Sequence, residues 1–263
     1  RFDTQNYEFL TISMANASLQ EQYLIFNHLS KTISIKFLVL PIFMDDTRED
    51  LIRHEVKDYL KLKPTYDKTN FLDHKISKEK LDDQSSDFTG LNKTIQKNVE
   101  QSINQYLDNY FHLWFSRPKL RAELFGNLYL IRNTIFNISA STKRKVIKGP
   151  YEDNFTALEL ILESCNLNDI ENMIYIPPIR NDVELPYYKK EYNKFQSDVI
   201  SLTNKYNTNF KSFENAIPAE FWGVKDATSL SEGVEIDFMH FQFKGHEILA
   251  DSLYKIINDI ILK

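Results

Sequence analysis

The chain is short of cysteine and of long apolar runs, and each scarcity excludes something. One cysteine, Cys165, leaves no intramolecular disulfide and no multi-cysteine metal site. It stands among Leu158, Leu160, Ile161 and Leu162 on a helical apolar face, so it reads as a buried structural thiol rather than a reactive one. No stretch of about 18 apolar residues exists, so no segment reads as membrane-spanning. Positive charge is in deficit: 32 Lys and Arg stand against 37 Asp and Glu, for a net charge of -5. General attraction to nucleic acid is excluded on that ground. The basic run of Lys143, Arg144 and Lys145 with Lys148 is too short to reverse it. His28, His54, His74 and His112 lack metal-ligand spacing with a carboxylate, so no metal site is expected. No internal repeat is visible.

What is present suits an α/β protein. The 263 residues suffice for one large domain with an insertion, or for two small ones. A single domain over 1–263 is expected, with 61–150 as a charged loop followed by a helical insertion. Residues 7–12 read as a short strand. An amphipathic helix follows to about residue 31, with Ser18 as N-cap and Glu21 at the capping-box position. Residues 33–42 form a nearly continuous apolar run, which predicts a strand buried on both faces of a parallel sheet. Asp45 and Asp46 follow it and begin a helix. The block 91–137 is helical and aromatic-rich, and its aromatics serve either packing or a lid or partner surface. Helices over 151–166, 191–206 and 245–262 alternate with short strands over 173–176 and 209–213. Strands separated by helices predict a doubly wound parallel sheet in a three-layer sandwich with right-handed crossovers.

In such a sheet, ligands bind beyond the carboxyl ends of the strands. Segments 13–18, 42–46 and 177–181 fall at such ends, and the loop 237–240 follows the last strand. Asp237 lies three residues before His240, and Gly245 and His246 open the last helix. This spacing can present an oriented imidazole that takes a proton from a hydroxyl nucleophile. The bland reading is a turn-capping Asp and a packed His. His246 reads as structural. Arg180 and Asn181 follow a Pro-Pro step; Arg180 either binds an anionic substrate group or pairs with a neighbouring Asp. Ser13 stands at a strand-to-helix step, a shape suited to a nucleophile, although no glycine flanks it. Ser18 is better used as a cap.

Residues 237–247 resemble the last conserved block of the SGNH (GDSL-like) hydrolases and acyltransferases, and 13–22 resemble the second block. The resemblance implies a flavodoxin-like strand order 2-1-3-4-5 and a Ser-His-Asp triad. His240 would be the general base and Asp237 its acid partner, with an oxyanion hole at the backbone of Asn16 and Ala17. Ala17 occupies the position of the family's glycine. The third block usually carries an Asn, where this chain has Asp45 and Asp46; these would cap a helix or orient Arg48. The layout resembles extracytoplasmic members that work beside membrane-bound O-acyltransferases. The family's serine ends a central strand preceding residue 13. A strand and a membrane anchor upstream of Arg1 are therefore expected, with Ser13 as the other nucleophile candidate. The implied activity is a serine esterase or O-acyltransferase on a cell-surface glycan or polymer, without metal or organic cofactor. The alternative is a non-catalytic module of the same fold that binds a glycan or a membrane partner. Trp114, Phe115, Tyr129 and Trp222 would serve that binding.

Overall fold

The computed structural model describes residues 8–14, 17–49, 52–62, 128, 130–230 and 233–261. The chain divides into two compact units. The larger comprises Arg1–Lys78, Ala140–Lys225 and Ile236–Lys263; the smaller comprises Glu79–Ser139 and Asp226–Glu235. The expected loop and insertion over 61–150 lie largely outside the described residues. In the smaller unit, Asn133 is buried and donates to the Thr228 carbonyl at 2.7 Å, and the Leu230 amide donates to the Thr134 hydroxyl at 2.9 Å.

The larger unit is mixed α/β. Its elements in order are α1 (Leu19–Leu29), β1 (Phe37–Pro41), a 3-10 turn (Met44–Thr47), α2 (His54–Tyr59), α3 (Lys148–Leu167), β2 (Glu171–Ile176), α4 (Lys189–Lys205), β3 (Asn209–Ser212), a second 3-10 turn (Ala219–Phe221), β4 (Trp222–Asp226), β5 (Val234–Phe241) and α5 (Phe243–Ile261). The strands β1, β2 and β3 form a parallel sheet in that order, with Phe37 opposite Glu171 and Met173 opposite Asn209. The strands β4 and β5 make a separate two-stranded antiparallel sheet.

Strand alternation sorts the parallel sheet's side chains onto two faces. Leu38, Leu40, Ile174, Ile176 and Phe210 join one apolar cluster with residues of α1, α3 and α4. Phe37, Val39, Met173 and Tyr175 join another with Leu249, Leu253, Ile256, Ile257 and Ile260 of α5. The helices present matching stripes. In α4, Tyr192, Phe195 and Val199 recur at three- and four-residue spacing and are buried. Each such side chain contributes roughly 1.5–3 kcal/mol by leaving water. In α1, Ser18 accepts from the Glu21 amide at 3.2 Å and Glu21 returns the bond to the Ser18 amide. The expected capping box is therefore formed.

Three expectations are corrected. Residues 8–14 carry no strand, since no ladder of backbone bonds joins them to a described strand. The strand at 33–42 shortens to β1, and its five residues are half-buried rather than buried. Its position explains this: among the described strands, β1 pairs with β2 alone and is an edge. Finally, residues 237–240 are not a loop but lie within β5, which pairs with β4.

Candidate functional site

The Asp237 to His240 spacing closes on itself at the end of β5. The amides of Met239 and His240 each donate to Asp237 Oδ1 at 3.0 Å. The imidazole Nδ1 of His240 lies 3.1 and 3.0 Å from Oδ1 and Oδ2 of the same carboxylate. The acid is sunk and the base is not: the Asp237 side chain is 10% exposed and that of His240 84%. Burial alone would raise the Asp237 pKa, but the two amides and the imidazole outweigh it and hold the carboxyl below its ordinary range. The consequence is a fixed tautomer. A proton on Nδ1 is held by the carboxylate, leaving Nε2 as the acceptor, and that nitrogen bonds to no described residue.

Gly245 and His246 lie in the first turn of α5, which opens at Phe243 rather than at Gly245 as expected. Gly245 is buried beneath Phe241, and a Cβ there would lie 2.7 Å from Phe241 Cδ2 and 3.1 Å from Ile217 Cγ2. No larger residue lets α5 start this close behind His240. His246 is exposed and lies on Phe241, with ring centroids 4.4 Å apart. Trp222 is buried, edge-on to Phe241, and donates to the Ile217 carbonyl at 3.2 Å. It serves packing rather than an exposed binding platform. Trp114, Phe115 and Tyr129 lie outside the described residues.

The segment after β2 meets this strand. The Arg180 amide donates to the Phe238 carbonyl at 3.0 Å, and Ile179 donates to the Glu214 carbonyl at 3.2 Å. The Ile42 amide, just past β1, bonds to the Tyr175 carbonyl at 2.9 Å. The segments beyond the carboxyl ends of β2 and β3 are thus linked to each other, the one beyond β1 to β2 itself, and the one beyond β2 to β5. Arg180 pairs with a neighbouring acid, one of its two expected roles. Its Nε and Nη2 reach the two Asp182 oxygens at 2.9 and 3.1 Å, and its Nη1 donates to the Gly223 carbonyl at 2.8 Å. Asn181 donates to Asn215 Oδ1 at 2.5 Å.

Other candidates stand apart. Ser13 is exposed and lies in irregular chain. Ser18 is buried and occupied as the cap of α1, and Ala17 is buried beside it. Asn16 lies outside the described residues. No hydrogen bond joins Ser13, Ala17 or Ser18 to His240 among the described residues. His28 is exposed, edge-on to Tyr59, and no group of three metal-ligating side chains occurs among the described residues. His74 and His112 lie outside those residues.

Asp45 and Asp46 orient and cap, as their sequence position suggested. Asp46 accepts from the Phe43 amide at 2.8 Å. Desolvation pushes its carboxyl up to about 7, with the Phe43 amide acting against the rise and Asp45 adding to it. Asp45 pairs with Arg48 at 3.3 Å, with Arg144, and with the Tyr187 hydroxyl at 3.0 Å. This knot escaped sequence reading, because Arg144 and Tyr187 lie far from Asp45 along the chain. Cys165 is buried, and burial pushes its thiol up to about 12, consistent with an inert structural role. A groove of about 610 Å³ between α3 and α4, lined by Tyr151, Asp198 and Lys205, contains none of the expected site residues.

No protein-family model, no curated protein and no solved structure matches the chain.

Proposed function

We propose that the protein is an SGNH-type serine esterase or O-acyltransferase acting on a cell-surface glycan or polymer. The supporting observation is the Asp237 to His240 pair: a buried, bonded carboxylate beside an imidazole whose second nitrogen faces solvent. In this reading Nε2 of His240 takes the proton of a serine hydroxyl as the oxygen attacks an acyl carbon. Asp237 holds the tautomer and stabilises the imidazolium. The imidazolium then gives its proton to the leaving oxygen. Water or a second hydroxyl enters by the same route in reverse. Backbone N–H groups at Asn16 and Ala17 would stabilise the oxyanion, the Ala17 amide giving up its bond to the Met14 carbonyl to do so.

The fold reading goes with it. Apolar clusters on both faces of the parallel sheet support a three-layer, doubly wound arrangement. The Glu171 amide bonds to the Lys36 carbonyl, and the Ile42 amide to the Tyr175 carbonyl. Alternation along β1 therefore turns residues 36, 38, 40 and 42 toward β2 and residues 37, 39 and 41 toward the open edge. That edge offers two amides and three carbonyls, since Pro41 has no N–H. In this reading a further strand pairing at that edge would carry the nucleophilic serine. Ser13, exposed and free of regular structure, is the other candidate. An extracytoplasmic location beside a membrane-bound O-acyltransferase completes the proposal.

One observation favours a second reading. Among the described residues no serine hydroxyl bonds to His240, as expected of a non-catalytic module that binds a glycan or a membrane partner. A fluorophosphonate probe on the full-length protein separates the two. Covalent labelling lost in His240→Ala supports the enzyme, and absence of labelling supports the binder.

A further inference from the structure

The Asp237 to His240 pair sits on a two-stranded sheet, and such a sheet is marginal by itself. The sheet of β4 and β5 shares no ladder with the parallel sheet. The pair's position at the sheet's end therefore depends on ties from elsewhere. Arg180 supplies several at once. Its amide holds the Phe238 carbonyl, one residue after Asp237. Its Nη1 holds the Gly223 carbonyl on β4. Its remaining nitrogens are forked onto Asp182, which fixes the guanidinium plane, and the side chain is only 16% exposed. One residue at the end of β2 thereby bonds to both strands of the sheet that carries the acid and base.

We propose that the Arg180 side chain is a positioning group for the Asp237 to His240 pair, fastening the sheet of β4 and β5 to the segment that follows β2. It does not contact the reacting atoms; it acts through Gly223 on β4, while the bond to Phe238 is made by the backbone amide and survives substitution. Lysine cannot replace it fully, because an ammonium cannot fork onto Asp182 while also reaching Gly223. The effect on catalysis rests on the function proposed above. Under that function, Arg180→Ala lowers kcat by about tenfold to a hundredfold with little change in KM, since small misplacement of a catalytic group costs that much.

The test does not need activity. In the full-length protein, ¹³C NMR follows the Asp237 carboxyl through an acid titration. In wild type the carboxyl titrates below the ordinary range. In Arg180→Ala its midpoint moves up, because the bonds from Met239, His240 and the imidazole loosen. Arg180→Lys gives a smaller rise and decides the matter if Arg180→Ala does not fold. Ser18→Ala, destabilised at a distant cap, leaves the midpoint where it is. An unchanged Asp237 midpoint in folded Arg180→Lys and Arg180→Ala overturns the proposal. Failure of the enzyme reading looks different: wild type fails to label with fluorophosphonate, while Asp237 still responds to Arg180.

Discussion

At the scale of single residues, two contacts near the site and one cap give measurable expectations. Gly245 lies under Phe241, and a methyl group there meets the ring at 2.7 Å. Gly245→Ala should lower stability by about 1–3 kcal/mol, the usual cost of overpacking; urea unfolding checks it, and an unchanged midpoint contradicts the contact. Ser18→Ala removes the acceptor of the Glu21 amide and should cost about 1 kcal/mol. It should leave probe labelling untouched, because Ser18 is a cap and not the nucleophile. Asp46 predicts a pH effect with a definite sign. Its carboxyl titrates at about 7 in the folded protein, against about 3.9 unfolded. Between those values the folded state binds more protons, so its contribution to stability falls as pH rises. Asp46→Asn keeps an acceptor for the Phe43 amide and should be more stable than wild type at pH 8, by about 2 kcal/mol once partial solvent access is allowed for. The gap should close near pH 4. A difference that is flat with pH contradicts the assignment.

At the scale of elements, the helices were legible and the strands less so. The stripe of Tyr192, Phe195 and Val199, and the Ser18 to Glu21 box, announce α4 and α1 because their period and caps are local properties. Those of β1 are not. An apolar run looks the same in a central strand and an edge strand, since both faces of β1 meet apolar side chains either way. Only the partner distinguishes them, and partners are remote in sequence. The strand β5 hid for another reason. Val234, Ile236 and Phe238 alternate with Glu235 and Asp237, a strand pattern in the sequence, but the fold leaves Val234 and Ile236 exposed and buries the adjacent Asp237 and Phe238, so the alternation does not report which face is covered. Within the site, the Asp237 to His240 step and Gly245 could be read because they are close in sequence. The double grip of Arg180 on Gly223 and Phe238 could not, though the nearness of Asp182 hinted at its pairing. The open edge of β1 carries its own prediction. Hydrogen exchange at the Phe37 and Val39 amides should be slow if a further strand pairs there. Fast exchange would leave β1 a true edge and remove the strand that was to carry the serine.

At the scale of the whole molecule, a negative chain bears an acid–base pair next to the carboxyl end of a parallel sheet. Among the described residues, no helix is long and apolar enough to cross a membrane. The enzyme reading asks for one thing the described residues do not join to His240, a hydroxyl nucleophile. The direct measurement is therefore fluorophosphonate labelling of the full-length protein beside its His240→Ala and Asp237→Asn variants, with melting temperatures recorded for all three. The account predicts one labelled serine in wild type and none in His240→Ala. It predicts labelling slowed by several orders of magnitude in Asp237→Asn, where the imidazole loses its fixed tautomer, and similar melting in wild type and His240→Ala because the imidazole is exposed. Undiminished labelling in a folded His240→Ala protein, or no labelling of wild type, would contradict it.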